Sequence, residues 1–248
     1  MIRGLYTSAS GMISQEIFHA ARTNNLANID TVGFKGDIPT FKSFIPYEIV
    51  RYNKFEYTPI GKMNMGSKLD ATYVDFSEGK IRETGNPLDV AIHGDGFFVV
   101  SYRGGEAYTR AGNFLLSSEG ELVTLDGFKV QGERGPIIIE GKQVEIGEDG
   151  SIYVDGELVD RLKIVDFPDR ENLRKIGYNL FTYNGANLPQ TPNEYMIKQG
   201  ALEYPNVNIV KEMVSILEAT RIYETNQKML RMQDETLGRA ITELGRVG

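Results

Sequence analysis

The sequence has no cysteine. That excludes disulfides, thiolate metal sites and cysteine nucleophiles, and it leaves the redox compartment undecided. There are two histidines, His19 and His93, too few for a multi-histidine metal site. Basic residues are in the minority, 27 Lys and Arg against 34 Asp and Glu, for a net charge of −7 and a pI near 5.1. No global basic field therefore draws nucleic acid or an anionic membrane. No apolar run reaches the roughly 18 residues of a membrane span. The N-terminal stretch Met1 to Ser8, followed by Gln15, Glu16 and His19, lacks the apolar core of a cleavable signal peptide. Composition alone therefore predicts a cytoplasmic protein. What is present is ordinary globular usage, 41% hydrophobic and 25% charged, which excludes wholesale disorder. The 248 residues suffice for one large domain or two small ones.

The pattern changes along the chain. From residue 2 to about 28, Ile2, Leu5, Ala9, Met12, Glu16 and Ala20 recur at helical spacing, with Tyr6, Ile13 and Ile17 widening the stripe. Ser8, Ser10 and Gly11 are poor helix formers, so this helix needs a packing partner. The stop signal is Asn28-Ile29-Asp30-Thr31-Val32-Gly33. From residue 206 to about 245 a longer helix is predicted, about 60 Å at 1.5 Å per residue. One row of it is apolar, Ile209, Ile216, Tyr223, Leu230, Leu237 and Leu244; a second carries Met213, Thr220, Gln227, Asp234 and Ile241. Their alternation of four and three is a heptad pattern.

Between the helices, from about 70 to 200, apolar runs shorten to four to six residues, such as Val90-Ala91-Ile92 and Phe97-Phe98-Val99-Val100. Acidic-Gly turns separate them: Ser77-Glu78-Gly79-Lys80, Ser118-Glu119-Gly120-Glu121, Asp126-Gly127, Glu148-Asp149-Gly150-Ser151 and Asp155-Gly156. Short runs with such turns predict antiparallel β-structure built from hairpins. The fold class expected is α+β: N- and C-terminal helices forming a coiled-coil or bundle region, with an inserted, mostly antiparallel β domain. The expected division is terminal helices at 1–34 and 206–248, extended connectors at 35–74 and 188–205, and a β-rich outer domain at 75–187. The first connector holds Pro39, Pro46 and Pro59 among Phe41, Phe44, Tyr47, Tyr52, Phe55 and Tyr57, too many aromatics for a free linker.

No catalytic constellation emerges. Gly94-Asp95-Gly96 precedes a strand, whereas a phosphate loop needs a following helix, so a hairpin turn is expected there. Asp149-Gly150-Ser151 lacks the spaced ligands and closing glutamate of a calcium loop and reads as a solvated turn. His93 follows an alternating run and reads as a hydrogen-bonded strand residue. No nucleophile-elbow pattern surrounds any serine. Asn24-Asn25 reads as helix-to-helix hydrogen bonding inside a bundle. Neither catalytic residues, cofactor, metal nor small-molecule substrate is expected. Helical ends with stripes they cannot satisfy alone, bracketing a β domain, suit a subunit of an open helical assembly.

Four motifs carry a resemblance: Asn24-Asn25-Leu26-Ala27-Asn28-Ile29-Asp30-Thr31-Val32-Gly33-Phe34-Lys35; Asn86 to Phe98; Tyr108-Thr109-Arg110-Ala111-Gly112-Asn113-Phe114; and Gln199 to Asn208, continued by Arg221 to Lys228. In that order, and over nearly the whole chain, they resemble the bacterial flagellar rod and hook proteins of the FlgF/FlgG family. Pro205 departs from the small polar residue expected there. The compact chain, the short span from Phe34 to Asp75, and the stretches Gly132 to Ile137 and Arg161 to Val165 resemble the FlgF branch more than the distal-rod (FlgG) branch. The resemblance implies a non-enzymatic structural subunit of the basal-body rod, assembling helically through its ends into the shaft that carries torque from motor to hook, with a distal-rod or hook-type subunit as the alternative within the family. Two other classes stay open: a secreted coiled-coil stalk, which would share the heptad but not the paired terminal motifs, and a carbohydrate-active enzyme with surface carboxylates on its β domain, against which the missing acid, base or metal cluster weighs. The implied partners are copies of itself, other rod and hook proteins and the flagellar export apparatus. It also implies a rod location in the periplasmic space, reached without a cleaved signal, in place of the cytoplasm. The residues expected to pack subunits are Leu5, Met12, Asn24, Asn25, Leu26, Asn28, Ile209, Ile216, Tyr223, Leu230, Leu237 and Leu244.

Overall fold

The computed structural model describes the chain apart from residues 1, 45, 54, 55, 142, 193 and 246–248. Two compact units emerge: Met1–Ala27 with Asp37–Tyr73 and Asn208–Gly248, and Asn28–Gly36 with Val74–Val207. Helical ends with a mostly antiparallel β domain between them are present as expected.

The first unit holds α1 (Ile2–Ala27), β1 (Asp37–Ser43), β2 (Pro46–Asn53), β3 (Glu56–Asn64), β4 (Ser67–Val74) and α2 (Ile209–Leu244). Helix α2 starts where Asn208 accepts a hydrogen bond from the Lys211 amide at 3.1 Å, an N-cap that satisfies one of the first turn's free donors. Residues 37 to 74, read as a connector, are instead two strand pairs, β1 with β4 and β2 with β3. The prolines that obscured them occupy permitted places. Pro39 lies in a two-stranded sheet, Pro46 opens β2, and Pro59 sits beside a register shift opposite Ile49 and Val50. Phe55 lies outside the described residues.

The second unit holds β5 (Ile81–Glu83), β6 (Val90–Gly94), β7 (Phe97–Tyr102), β8 (Gly105–Thr109), β9 (Leu115–Leu116), β10 (Leu122–Val123), β11 (Val144–Ile146), β12 (Ser151–Val154), β13 (Glu157–Arg161), β14 (Ile164–Val165), β15 (Leu173–Gly177), β16 (Leu180–Tyr183), β17 (Tyr195–Gln199) and β18 (Ala201–Glu203). Its largest sheet runs β14-β7-β8-β16-β15, antiparallel throughout. Strand β7 reads as an unbroken apolar run because both of its faces are buried. Phe98 and Val100 enter one core with Ile92, Phe114 and Leu180, while Phe97 and Val99 enter another with Phe167 and Phe181. The second is an aromatic cluster in which Phe97 meets Phe76 edge-on at 5.5 Å and Phe181 at 5.9 Å.

The expected hairpin turns divide into two groups. Asp155-Gly156 joins the paired strands β12 and β13 with both residues at positive φ, 50° and 90°, the requirement of a tight primed turn. Glu148-Asp149-Gly150 joins β11 to β12, and Glu119-Gly120 joins β9 to β10. Two expectations fail. Strand β6 pairs with β17, not β7, so Gly94-Asp95-Gly96 turns a corner between sheets. Strand β5 pairs with β18, so Ser77-Glu78-Gly79-Lys80 is a loop. Both partners lie in the stretch 188–205, read as a connector. A pairing over a hundred residues leaves no local turn signal, so proximity along the chain suggested the wrong neighbour.

Candidate assembly surface

Helices α1 and α2 pack antiparallel within the first unit. Gly4 faces Gln233, and Gly11 faces Asn226, whose amide nitrogen would stand 2.9 Å from any added Cβ. Toward the other end, Arg22 Nη1 donates to both oxygens of Glu212, at 3.0 and 3.3 Å, and its guanidinium lies 4.7 Å from the Phe18 ring centre. The glycines that weaken α1 as an isolated helix admit amide side chains of its partner.

The seam is made of small and polar residues. Ser8, Ser14, Asn25 and Glu212 are buried, and among the described residues Ala219 is the one fully buried apolar side chain of either helix. Ser14 Oγ reaches Ser67 Oγ at 2.7 Å, joining α1 to β4. The Gln233 carbonyl oxygen is buried without a hydrogen-bond partner.

The residues read as subunit-packing positions fall in different places. Leu5, Met12, Leu26, Ile216, Leu230 and Leu237 are half-buried, whereas Ile209 and Tyr223 are exposed. Leu244 lies in the last turn of α2 and its side chain, like that of Ile2, lies outside the described residues. Asn24 is exposed on α1. Asn25 is 2% exposed, but it does not bond across helices as expected. Its Nδ2 donates to the Asp37 carbonyl at 3.0 Å and its Oδ1 accepts from the Asp37 amide at 2.8 Å, fixing the start of β1. Asn28 closes the turn after α1, accepting from the Thr31 hydroxyl at 3.2 Å. His93 is hydrogen-bonded as read, to Glu78 at 2.6 Å.

In the row read as apolar, Ile216, Leu230 and Leu237 are half-buried, and a second row, one residue earlier than the companion row read from the sequence, meets α1 at Glu212, Asn226 and Gln233. Asn226, Gln233 and Ala240 are half-buried beside the buried Glu212 and Ala219, while of the row read from the sequence Gln227 is half-buried and Met213, Thr220, Asp234 and Ile241 are exposed. Hydrophobicity pointed to Met213 and Ile241. Backbone proximity at Gly4 and Gly11 selects the small and polar row instead.

The helix therefore keeps a large apolar surface in solvent. Val210 is 69% exposed, Leu217 59% and Met232 53%, with Val214, Ile222 and Met229 also exposed. Leu217 lies about 160° around the helix from Ala219, on the side away from α1. Hairpin β2–β3, a two-stranded sheet among the described residues, exposes Tyr47, Tyr52, Tyr57 and Ile60. Sequence reasoning missed the patch on α2, because an apolar residue off a heptad row gives no sign of whether it is covered; on the hairpin it singled out Tyr47, Tyr52 and Tyr57 as too many aromatics for a free linker. Among the described residues no group of three His, Asp or Glu is placed to hold a metal ion, and no helix is long and apolar enough to cross a membrane.

Comparison with known proteins adds the family. Residues 5–35 match the flagella basal body rod protein family, residues 91–154 the flagellar hook protein FlgE/F/G D1 domain, and residues 198–243 the flagellar basal body rod FlgEFG protein C-terminal region. The flagellar basal-body rod protein FlgG of Bacillus subtilis is 34% identical, over 96% of this chain and 97% of the relative. FlgG of Borreliella burgdorferi is 35% identical over the same shares. The flagellar hook-basal body complex protein FlhO of Bacillus subtilis is 27% identical over the full length of both. None of these three carries the FlgF name. With a helical end at each terminus, a β domain between and relatives matched end to end, the chain belongs to the bacterial flagellar basal-body rod and hook protein family, whose matched relatives are structural proteins and not enzymes.

Proposed function

We propose that this chain is a structural subunit of the flagellar basal-body rod, built into a helical shaft by packing α1 and α2 against copies of itself and against other rod and hook subunits. The observation that carries this reading is the apolar surface of α2 turned away from α1. A helix of 36 residues in which, among the described residues, Ala219 is the one fully buried apolar side chain gains little stability from its own unit. An exposed apolar patch of that extent marks an interaction surface. Stacking many such subunits gives each α2 the neighbours it lacks and makes a stiff shaft able to carry torque. The same reading places the chain in the periplasmic part of the basal body, delivered by the flagellar export apparatus without a cleaved signal. The FlgG relatives favour a distal position along the rod, and the short span between Phe34 and Asp75 favours the FlgF branch.

A peptide tag inserted at the exposed Asp155-Gly156 turn, where an added Cβ on Gly156 meets nothing within 4 Å, leaves both helices intact. Electron microscopy of purified basal bodies from cells carrying the tagged chain should show the label on the rod. Its distance from the motor end separates the two branches. Intact rods without label would exclude the chain from the shaft.

A further inference from the structure

Three of the motifs meet at one buried carboxylate. Lys35, Arg110 and Glu203 are 1%, 3% and 1% exposed. Glu203 Oε1 accepts from Lys35 Nζ at 2.6 Å and from the Gly79 amide at 2.8 Å, and Oε2 accepts from Arg110 Nη1 at 3.3 Å. Lys35 also donates to the Ser77 carbonyl at 2.7 Å, and the Gly33 amide donates to the Glu203 carbonyl at 2.7 Å. Three residues on, Asn206 accepts from the Gly36 amide at 3.0 Å and donates to the carbonyls of Asp75, at 2.8 Å, and Ser77, at 3.2 Å. Gly33 has φ +68° and its missing side chain leaves room for the Ala111 backbone; any side chain on Gly79 would strike the Tyr204 carbonyl.

These are the segments through which the chain leaves the second unit. The backbone passes between the units four times, after residues 27, 36, 73 and 207. We infer that residues 33–36, 75–79 and 203–206 form a single cooperative clamp, closed by Glu203 and Asn206, so that the connecting segments open together or not at all. The donors to one buried carboxylate lie on different segments, so 33–36 or 203–206 leaving alone parts the buried Lys35–Glu203 ion pair, and 75–79 leaving alone takes away the Gly79 amide from Glu203 and the Ser77 carbonyl from Lys35. Asn206 likewise spends its acceptor on one segment and its donor on another. A displacement carried along any one of the connections after residues 36, 73 and 207 is thereby shared by the other two. This holds whatever the assembly to which the chain belongs.

Single-residue amide exchange on the full chain tests the clamp with Asn206→Ala. That change removes the acceptor of the Gly36 amide, so Gly36 must exchange faster in any case. The amides of Gly33, Gly79 and Tyr204 bond to Glu203 and Lys80, not to Asn206. The clamp requires these three to accelerate with Gly36, by about tenfold or more, while amides of β12–β13 stay protected. Acceleration confined to Gly36 and its immediate neighbours would overturn it. Should β12–β13 also lose protection, Asn206→Asp, which keeps an acceptor for Gly36 and removes the donor, carries the test with the same two outcomes at Gly33, Gly79 and Tyr204.

Discussion

Glu203→Gln is expected to cost the second unit about 3–5 kcal/mol, the range for stripping one partner from a buried ionic cluster. The neutral amide is nearly isosteric, so the loss is electrostatic rather than one of packing. It leaves the cations of Lys35 and Arg110 buried near one another with no anion between them. In a unit of this size that lowers the unfolding midpoint by roughly 10 °C. Urea unfolding of wild type and variant measures it, and a change below about 1 kcal/mol would mean that the cluster is effectively solvated. Adding Lys35→Met should recover part of the loss, since it removes one of the two opposed cations; the pair of changes should be non-additive by about 0.5–3 kcal/mol.

Lys35 also gives the cluster a pH signature. Burial, opposed by Glu203 and reinforced by the Arg110 charge, holds its ammonium pKa below the ordinary 10.5. Between that lowered value and 10.5 the unfolded chain holds the proton more tightly than the folded one. The contribution of Lys35 to stability therefore rises with pH across that window. The difference in stability between wild type and Lys35→Met should shift in favour of wild type as pH approaches 10.5. A difference independent of pH would contradict the burial of the charge.

The second large effect separates the two faces of α2. Leu217→Asp should leave the free chain's stability within about 0.5 kcal/mol of wild type, since the side chain is 59% exposed, and should abolish incorporation into rods. In an assembled shaft the same carboxylate would be taken from water with no partner, at a cost of several kcal/mol for each subunit. Leu230→Asp should act earlier. Leu230 is half-buried, so its replacement should loosen the helix pair of the free chain by about 2 kcal/mol or more. Arg231→Asp, on an exposed position next to it, should be the mildest of the three. Helical circular dichroism of the purified chains and quantification of each in isolated basal bodies distinguish these outcomes. Equal incorporation of all three would mean that the faces of α2 are wrongly assigned.

Local chemistry was legible in the sequence and distant pairing was not. Both helices, the short apolar run that becomes β7 and the turn at Asp155-Gly156 follow from residues within a few positions of one another. The partnership of β6 with β17, and of β5 with β18, spans about a hundred residues or more and leaves no periodic trace. The hairpin β2–β3 was hidden by Pro46 and Pro59, which are strand breakers in general and are tolerated here at a strand start and a register shift. The heptad of α2 was recognisable, but the choice between its two companion rows depends on Gly4 and Gly11 across the seam. Lys35, Arg110 and Glu203 each stood in a motif, and nothing in the motifs indicated that their side chains meet.

The claim that the outer face of α2 is covered in the rod can be tested with the chain's own methionines. Met213, Met229 and Met232 are 50%, 43% and 53% exposed in the free subunit and should be oxidised readily by dilute peroxide, as read by mass spectrometry. In purified basal bodies treated in the same way, the account expects these residues, above all Met232 on the side away from α1, to be strongly protected. Equal oxidation of Met232 in the free chain and in the intact rod would show that this face stays in water and would contradict assembly through it.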